Sequence, residues 1–152
     1  MEKKKVRNYF IILSAFVLVM IAAAFTIQVY PGGYGYDYNE RSNELVIEQG
    51  MFFKEYKTVQ MGAEEGLRYA LFQDRTDLAI QTWSYLLLIP VFSMFFLKRV
   101  LSAYKGRAEK RFTITDYLNV FALVVAFALI VILLMMLNGH LQYLSQVFNS
   151  VQ

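Results

Sequence analysis

The 152-residue chain has no cysteine, one histidine and two prolines. Without cysteine, disulfides, thiolate metal sites, a lipid-modified cysteine anchor and a cysteine nucleophile are all excluded. One histidine and seven scattered methionines do not supply the paired axial ligands of a haem. His140 would have to serve any Ser-His-Asp arrangement, and no nucleophile-elbow motif accompanies it. It reads as an interfacial polar group, with a ligand role as the sharper alternative. No Walker-type loop is present. Gly32-Gly33-Tyr34-Gly35 resembles a dinucleotide fingerprint only superficially, because a strand before it and a helix after it are both missing. No cofactor or bound metal is expected.

The most telling absence is of charge. No Asp, Glu, Lys, Arg or His occurs between Tyr9 and Val29, between Leu78 and Leu97, or between Tyr117 and Leu137. Each stretch is about 20 residues, enough for a helix to cross the roughly 30 Å hydrocarbon core of a bilayer. The lack of ionisable groups within them argues against a proton-coupled carrier or a voltage sensor, which place such groups at membrane depth. The 57% hydrophobic content and positive mean hydropathy agree with a membrane protein.

The charges that are present sort by position. Lys3, Lys4, Lys5 and Arg7 precede the first apolar run, and Lys98, Arg99, Lys105, Arg107, Lys110 and Arg111 lie between the second and third. The segment between the first two runs carries Asp37, Glu40, Glu44, Glu48, Glu55, Glu64, Glu65, Asp74 and Asp77 against Arg41, Lys54, Lys57, Arg68 and Arg75, a net acidity of four. Cytoplasmic loops are the basic ones, which sets an expected organisation. Residues 1–8 form a cytoplasmic basic N-terminus, 9–29 the first span, and 30–77 an extracytoplasmic module. Residues 78–97 are the second span, 98–116 a basic cytoplasmic loop, 117–137 the third span, and 138–152 an extracytoplasmic amphipathic tail. The basic groups serve topology and anionic lipid contact; no nucleic-acid partner is expected. Ala22-Ala23-Ala24 also offers a signal-peptidase site, but the apolar run continues to Val29, which favours an uncleaved anchor.

The expected fold class is a membrane protein, mainly α, with three transmembrane helices and a small α+β insertion between helices 1 and 2. Tyr30-Pro31-Gly32-Gly33 stops the first helix. Tyr34, Tyr36 and Tyr38 then alternate, placing three rings on one face of an extended segment. Glu44 to Gln49 and Met51 to Met61 read as a β-hairpin turning at Gln49-Gly50. A lone hairpin is marginal in water, so it must pack on the Tyr segment as a third strand, on the following helix, on the membrane or on another protein. Gly62 to Gln73 reads as an amphipathic helix, with Asp74 or Thr76 capping the next. Pro90 should kink the second span, and Thr113 with Asp116 matches a capping box before the third.

Glu40, Glu44 and Glu48 recur every four residues, but Leu45-Val46-Ile47 favours a strand, on which Glu44 and Glu48 share a face. A solvated polar face competes there with a site for a hard cation. Small residues let membrane helices approach closely. Ala15, Ala22 and Thr26 on the first span, and Asn119, Ala122 and Ala126 on the third, are the expected packing faces.

Functionally, the chain reads as a non-enzymatic, multi-pass bacterial membrane protein. It would be an accessory or interaction subunit contacting lipids and another membrane or envelope protein through its extracytoplasmic module. Tyr34, Tyr36, Tyr38, Phe52, Phe53 and Tyr56 are the expected contact residues, because exposed aromatics concentrate binding energy. An immunity protein against a secreted or membrane-acting toxin is the alternative, and a small membrane enzyme using the outer carboxylates a third.

Overall fold

The computed structural model describes residues 2–39, 43–60, 66–105 and 113–151. Of the residues singled out above, Glu40 and Arg41, Met61 at the end of the expected hairpin, Gly62 to Glu65 at the expected helix start, and the loop cations Arg107, Lys110 and Arg111 lie outside the described residues. Three helices and three strands follow in the order α1 (Glu2–Ile27), β1 (Gly35–Asn39), β2 (Glu44–Gln49), β3 (Glu55–Gln60), α2 (Gly66–Lys105) and α3 (Ile114–Ser150). All three helices are long and apolar enough to cross a membrane, and little of each apolar window is buried within the protein.

Helix α1 stops where its backbone reverses hand. Gln28 takes a positive φ of 56°, and Gly32 and Gly33 in the turn that follows take 91° and 56°. Left-handed geometry costs a residue with a Cβ roughly 1–2 kcal/mol, so Gln28 is held by its surroundings. Its side chain lies against Gly35, where any added Cβ would collide with it.

The strands form one antiparallel sheet in the order β1-β2-β3. The Tyr segment is therefore the third strand that the marginal hairpin needs. Register pairs Tyr36 with Ile47 and Asp37 with Val46 on one side of β2, and Val46 with Thr58 and Leu45 with Val59 on the other. Directly paired residues share a face. One face thus carries Tyr36, Tyr38, Leu45, Ile47, Lys57 and Val59. The other carries Asp37, Glu44, Val46, Glu48, Tyr56 and Thr58.

Two expected helix breaks do not occur. Helix α2 runs from Gly66 to Lys105 without a stop at residues 73–77 and continues through Pro90. Thr76 is fully buried, and its hydroxyl donates back to the Phe72 carbonyl at 2.9 Å instead of capping a new helix. No Gly or Pro lies between Gly66 and Pro90, so nothing local forces an end there. Helix α3 likewise passes through Gly139, and the tail is its last turns rather than a separate helix. Glycine costs a helix roughly 1 kcal/mol relative to alanine; burying Leu144, Val147 and Phe148 just beyond it outweighs that. At its start, the Asp116 carboxylate accepts from the Thr113 backbone N–H at 2.9 Å and from its hydroxyl at 2.8 Å. This is the reach-back half of the capping box anticipated from the sequence.

Helices α2 and α3 pack along most of their length. A seam of buried and half-buried positions along α3 runs Asn119, Leu123, Ala126, Ile130, Leu133, Leu137, His140, Leu144, with Ala122 beside it, alternating steps of four and three. That 3.5-residue period is the seam of a left-handed helix pair. Helix α1 rests on α2 through a smaller face.

Candidate functional site

At a rise of 1.5 Å per residue, α2 and α3 are each about 55–60 Å long, nearly twice a hydrocarbon core. The excess at one end carries the sheet. The sheet's Tyr-bearing face points inward onto it. Tyr34 is buried, with its ring edge-on to Phe72 of α2 and Phe148 of α3, each 6.4 Å between centroids. Such aromatic pairs add about 0.5–1.5 kcal/mol beyond area burial. Tyr30 is also buried and donates to the Tyr34 carbonyl at 2.9 Å. Burial holds its hydroxyl protonated well above the usual phenol range; the hydrogen bond to the Tyr34 backbone opposes this, and the nearby Tyr34 and Asp77 side chains add smaller upward pushes. The Gln49 amide donates to the Tyr34 hydroxyl at 3.0 Å.

Tyr36, half-buried, donates its hydroxyl to the Asp77 carboxylate of α2 at 3.1 Å. Burial first, then the Asp77 charge and this hydrogen bond, raise its pKa. Lys57 points inward from β3 and closes the far side. Its ammonium donates to the carbonyls of Phe148 at 3.2 Å and Val151 at 2.5 Å, and lies 4.9 Å from the Phe148 ring centroid. A cation on the last carbonyls of a helix satisfies groups with no intrahelical partner. Arg68 adds a contact to the Ser150 hydroxyl. The sheet is thus fixed to both helices through groups that the sequence separates by 41 to 94 residues.

The six expected contact residues therefore do not form one surface. Tyr34 is core and Tyr36 is a clamp. Tyr38 is at the inner-face margin, donating to Asn43 at 2.9 Å. Tyr56, 60% exposed, stands alone on the outer face. Phe52 and Phe53, 79% and 96% exposed, form the β2–β3 turn. The outer face around Tyr56 is polar and acidic, with Asp37 exposed and Glu44 and Glu48 on the same side. Glu48 is ion-paired with Lys54 at 2.5 Å.

The expected packing residues also divide. Asn119 is buried, and Ala122 and Ala126 are half-buried on the α3 seam. Ala15, Ala22 and Thr26 are all exposed; the Thr26 hydroxyl simply donates to the Ala22 carbonyl at 2.8 Å. The buried residues of α1 are instead Val17 and Ala24, seven apart and so on one face. Small residues are spread over several faces of α1, and composition alone could not select among them.

A second polar cluster lies between α2 and α3. Arg75 Nη1 approaches His140 Nδ1 at 3.2 Å. Arginine can only donate, so Nδ1 accepts and Nε2 carries the proton in the neutral ring. That Nε2 is buried without a hydrogen-bond partner. Burial, and then the Arg75 charge, lower the His140 pKa, with Asp74 opposing. The two side chains, with Met136, Gly139 and Tyr143, line an open groove of about 400 Å³. No Ser, Thr or carboxylate lines it. Among the described residues, no group of three or more His, Asp or Glu could hold a metal ion.

Sequence reasoning missed Lys57, Asp77 and Arg75 as structural partners. Each looks like a solvated charge along the chain; docking of the sheet brings Lys57 and Asp77 to their partners, and packing of α2 on α3 brings Arg75 to His140. No known protein family, curated protein or solved structure matches the chain.

Proposed function

We propose that the protein is a non-enzymatic accessory subunit of a bacterial cell membrane. It presents the outer face of its sheet to a membrane or envelope protein. The observation that carries this reading is the division of the sheet. Its inner face is locked onto α2 and α3 by Tyr34, Tyr36 and Lys57, while Tyr56 and Thr58 on the outer face stay uncovered. A rigidly mounted face with one exposed aromatic on its β3 edge and carboxylates on the same side suits a protein partner with a basic or hydrogen-bonding rim. The charge asymmetry supports an extracytoplasmic sheet. The end of α2 remote from the sheet carries exposed Lys98 and Arg99, as expected of the cytoplasmic side.

The test is a photo-crosslinking residue placed at Tyr56 or Thr58 in intact cells, paired with a Tyr56→Ala variant. A single crosslinked protein that no longer co-purifies with Tyr56→Ala, while membrane insertion is unchanged, supports the reading. Unchanged co-purification removes it. For orientation, a membrane-impermeant thiol reagent should label Thr58→Cys in intact cells; labelling only after permeabilisation reverses the topology.

A further inference from the structure

The turn between β2 and β3 is apolar where a solvated hairpin turn is normally polar. Met51, Phe52 and Phe53 follow one another there and are 36%, 79% and 96% exposed. Two adjacent, almost bare phenylalanines at a tip need a cover. The structure gives their position relative to the apolar helices through three separate ties.

First, the Gly50 N–H donates to the Gly33 carbonyl at 3.1 Å. The approach is so close that a Cβ on Gly33 would lie 2.5 Å from the Gly50 carbonyl carbon. Gly33 is six residues past Ile27, the last residue of α1. Second, the Lys54 ammonium reaches back to Gln28, the residue directly after α1, at 3.2 Å. Third, Tyr36 in the adjoining strand bonds Asp77, the residue directly before the second charge-free run. The turn therefore lies level with the end of one apolar helix and the start of the next.

At that level the last turn of α1 exposes Phe25 and Ile27. The turn's only cation, Lys54, is drawn away from the tip onto Glu48 and Gln28. The tip is left uncharged beside an apolar helix surface. Aromatic rings favour the interfacial zone of a bilayer, and an aliphatic stem with its ammonium turned to the polar side suits that depth.

We propose that Met51, Phe52 and Phe53 form a lipid-inserting finger. It dips into the acyl–headgroup boundary next to α1 and fixes the height and tilt of the sheet over the membrane. The occupant of this surface is the bilayer, not a protein, because the uncharged tip lies level with the exposed apolar last turn of α1. The inference rests on α1 spanning the membrane. It is independent of whether the outer sheet face binds a partner.

The absence of native cysteine makes the test direct. Single-cysteine variants Phe53→Cys, Thr58→Cys and Phe25→Cys carry an environment-sensitive fluorophore. They are reconstituted in vesicles of phosphatidylcholine and phosphatidylglycerol, with iodide present on both sides or with a nitroxide-bearing lipid. The expected result is that position 53 behaves as position 25: strong quenching by the nitroxide lipid, and several-fold weaker iodide quenching than at position 58. Iodide quenching at 53 equal to that at 58 overturns the finger. Protection of 53 from both quenchers also overturns it, because a second copy would then cover the tip. If position 25 too is untouched by the nitroxide lipid, the spanning role of α1 and the finger fall together. Failure at 53 alone leaves the span intact.

Discussion

The two halves of the α2–α3 pair are built from similar residues and packed in opposite ways. At the sheet-bearing end, Phe72 and Phe148 are 0% and 1% exposed. At the other end Phe92, Phe121 and Phe127 of the same helices are 63%, 67% and 70% exposed. Apolar surface is driven out of water, but acyl chains are as apolar as a phenylalanine, so nothing drives such surface out of lipid. The sheet-bearing half has a core of aromatic edges, buried aliphatics and polar clamps, as a water-exposed unit requires. The remote half has only its seam, the packing expected of a helix pair whose other faces meet lipid. On the proposed reading, one pair of helices meets two solvents.

The sharpest way to break this contrast is to remove one ring from each half. Phe72→Ala should cost about 3–5 kcal/mol, as expected for a fully buried aromatic. It should also release the sheet to limited proteolysis, whereas Phe121→Ala should shift stability by no more than about 0.5 kcal/mol. Chemical unfolding in detergent micelles reads both. Equal losses at the two sites would mean that the halves are not different.

A smaller effect, about 1–3 kcal/mol, is expected of Gly33→Ala. The φ of 56° there and the backbone of Gly50 leave no place for a methyl group. Gly66→Ala is its comparison: that site is open, with nothing within 4 Å, so a small gain in helix propensity is the expected outcome. Thermal unfolding of the two variants should move in opposite directions.

Acid should weaken the sheet-bearing half further. His140 has its folded-state pKa lowered below 6.5 by burial and by Arg75. Its contribution is therefore complete above the unfolded value and is lost as pH falls through the folded one. The unfolding midpoint should drop as pH falls below about 6.5, the ordinary histidine value, and His140→Gln should flatten that dependence. An unchanged slope in the variant would place the acid sensitivity elsewhere. The smallest stability effect is expected at Tyr56→Ala, within about 0.5 kcal/mol for an exposed side chain. Loss of partner binding without loss of stability would separate the outer face from the inner one.

The sequence was informative where a single local signal suffices. Absence of charge located the apolar runs, β-branched residues located β2, and Thr113 with Asp116 located the start of α3. It misled where a signal has two explanations. Alternating tyrosines mark a face but not which way that face looks; here it looks inward, because Phe72 and Phe148 wait opposite Tyr34. The Gly62–Gln73 stretch looked like a separate amphipathic helix because the inward residues of its described part meet the sheet, while those further along α2 pack on α3 or lie exposed. A change of surroundings along one helix resembles a change of element. The partners of Lys57, Asp77 and Arg75 were illegible for a different reason, since each pair joins residues distant in sequence and depends on tertiary packing: of the sheet on the helices for the first two, of α2 on α3 for the third.

Helix α3 offers the most direct test of two solvents along one rod. Cysteines placed singly at Val124, Phe127, Gln142 and Asn149, all exposed on the isolated chain, can be challenged with a water-soluble maleimide in reconstituted bilayers. The account requires rapid labelling of Gln142→Cys and Asn149→Cys and protection of Val124→Cys and Phe127→Cys. Uniform reactivity at all four positions would contradict it.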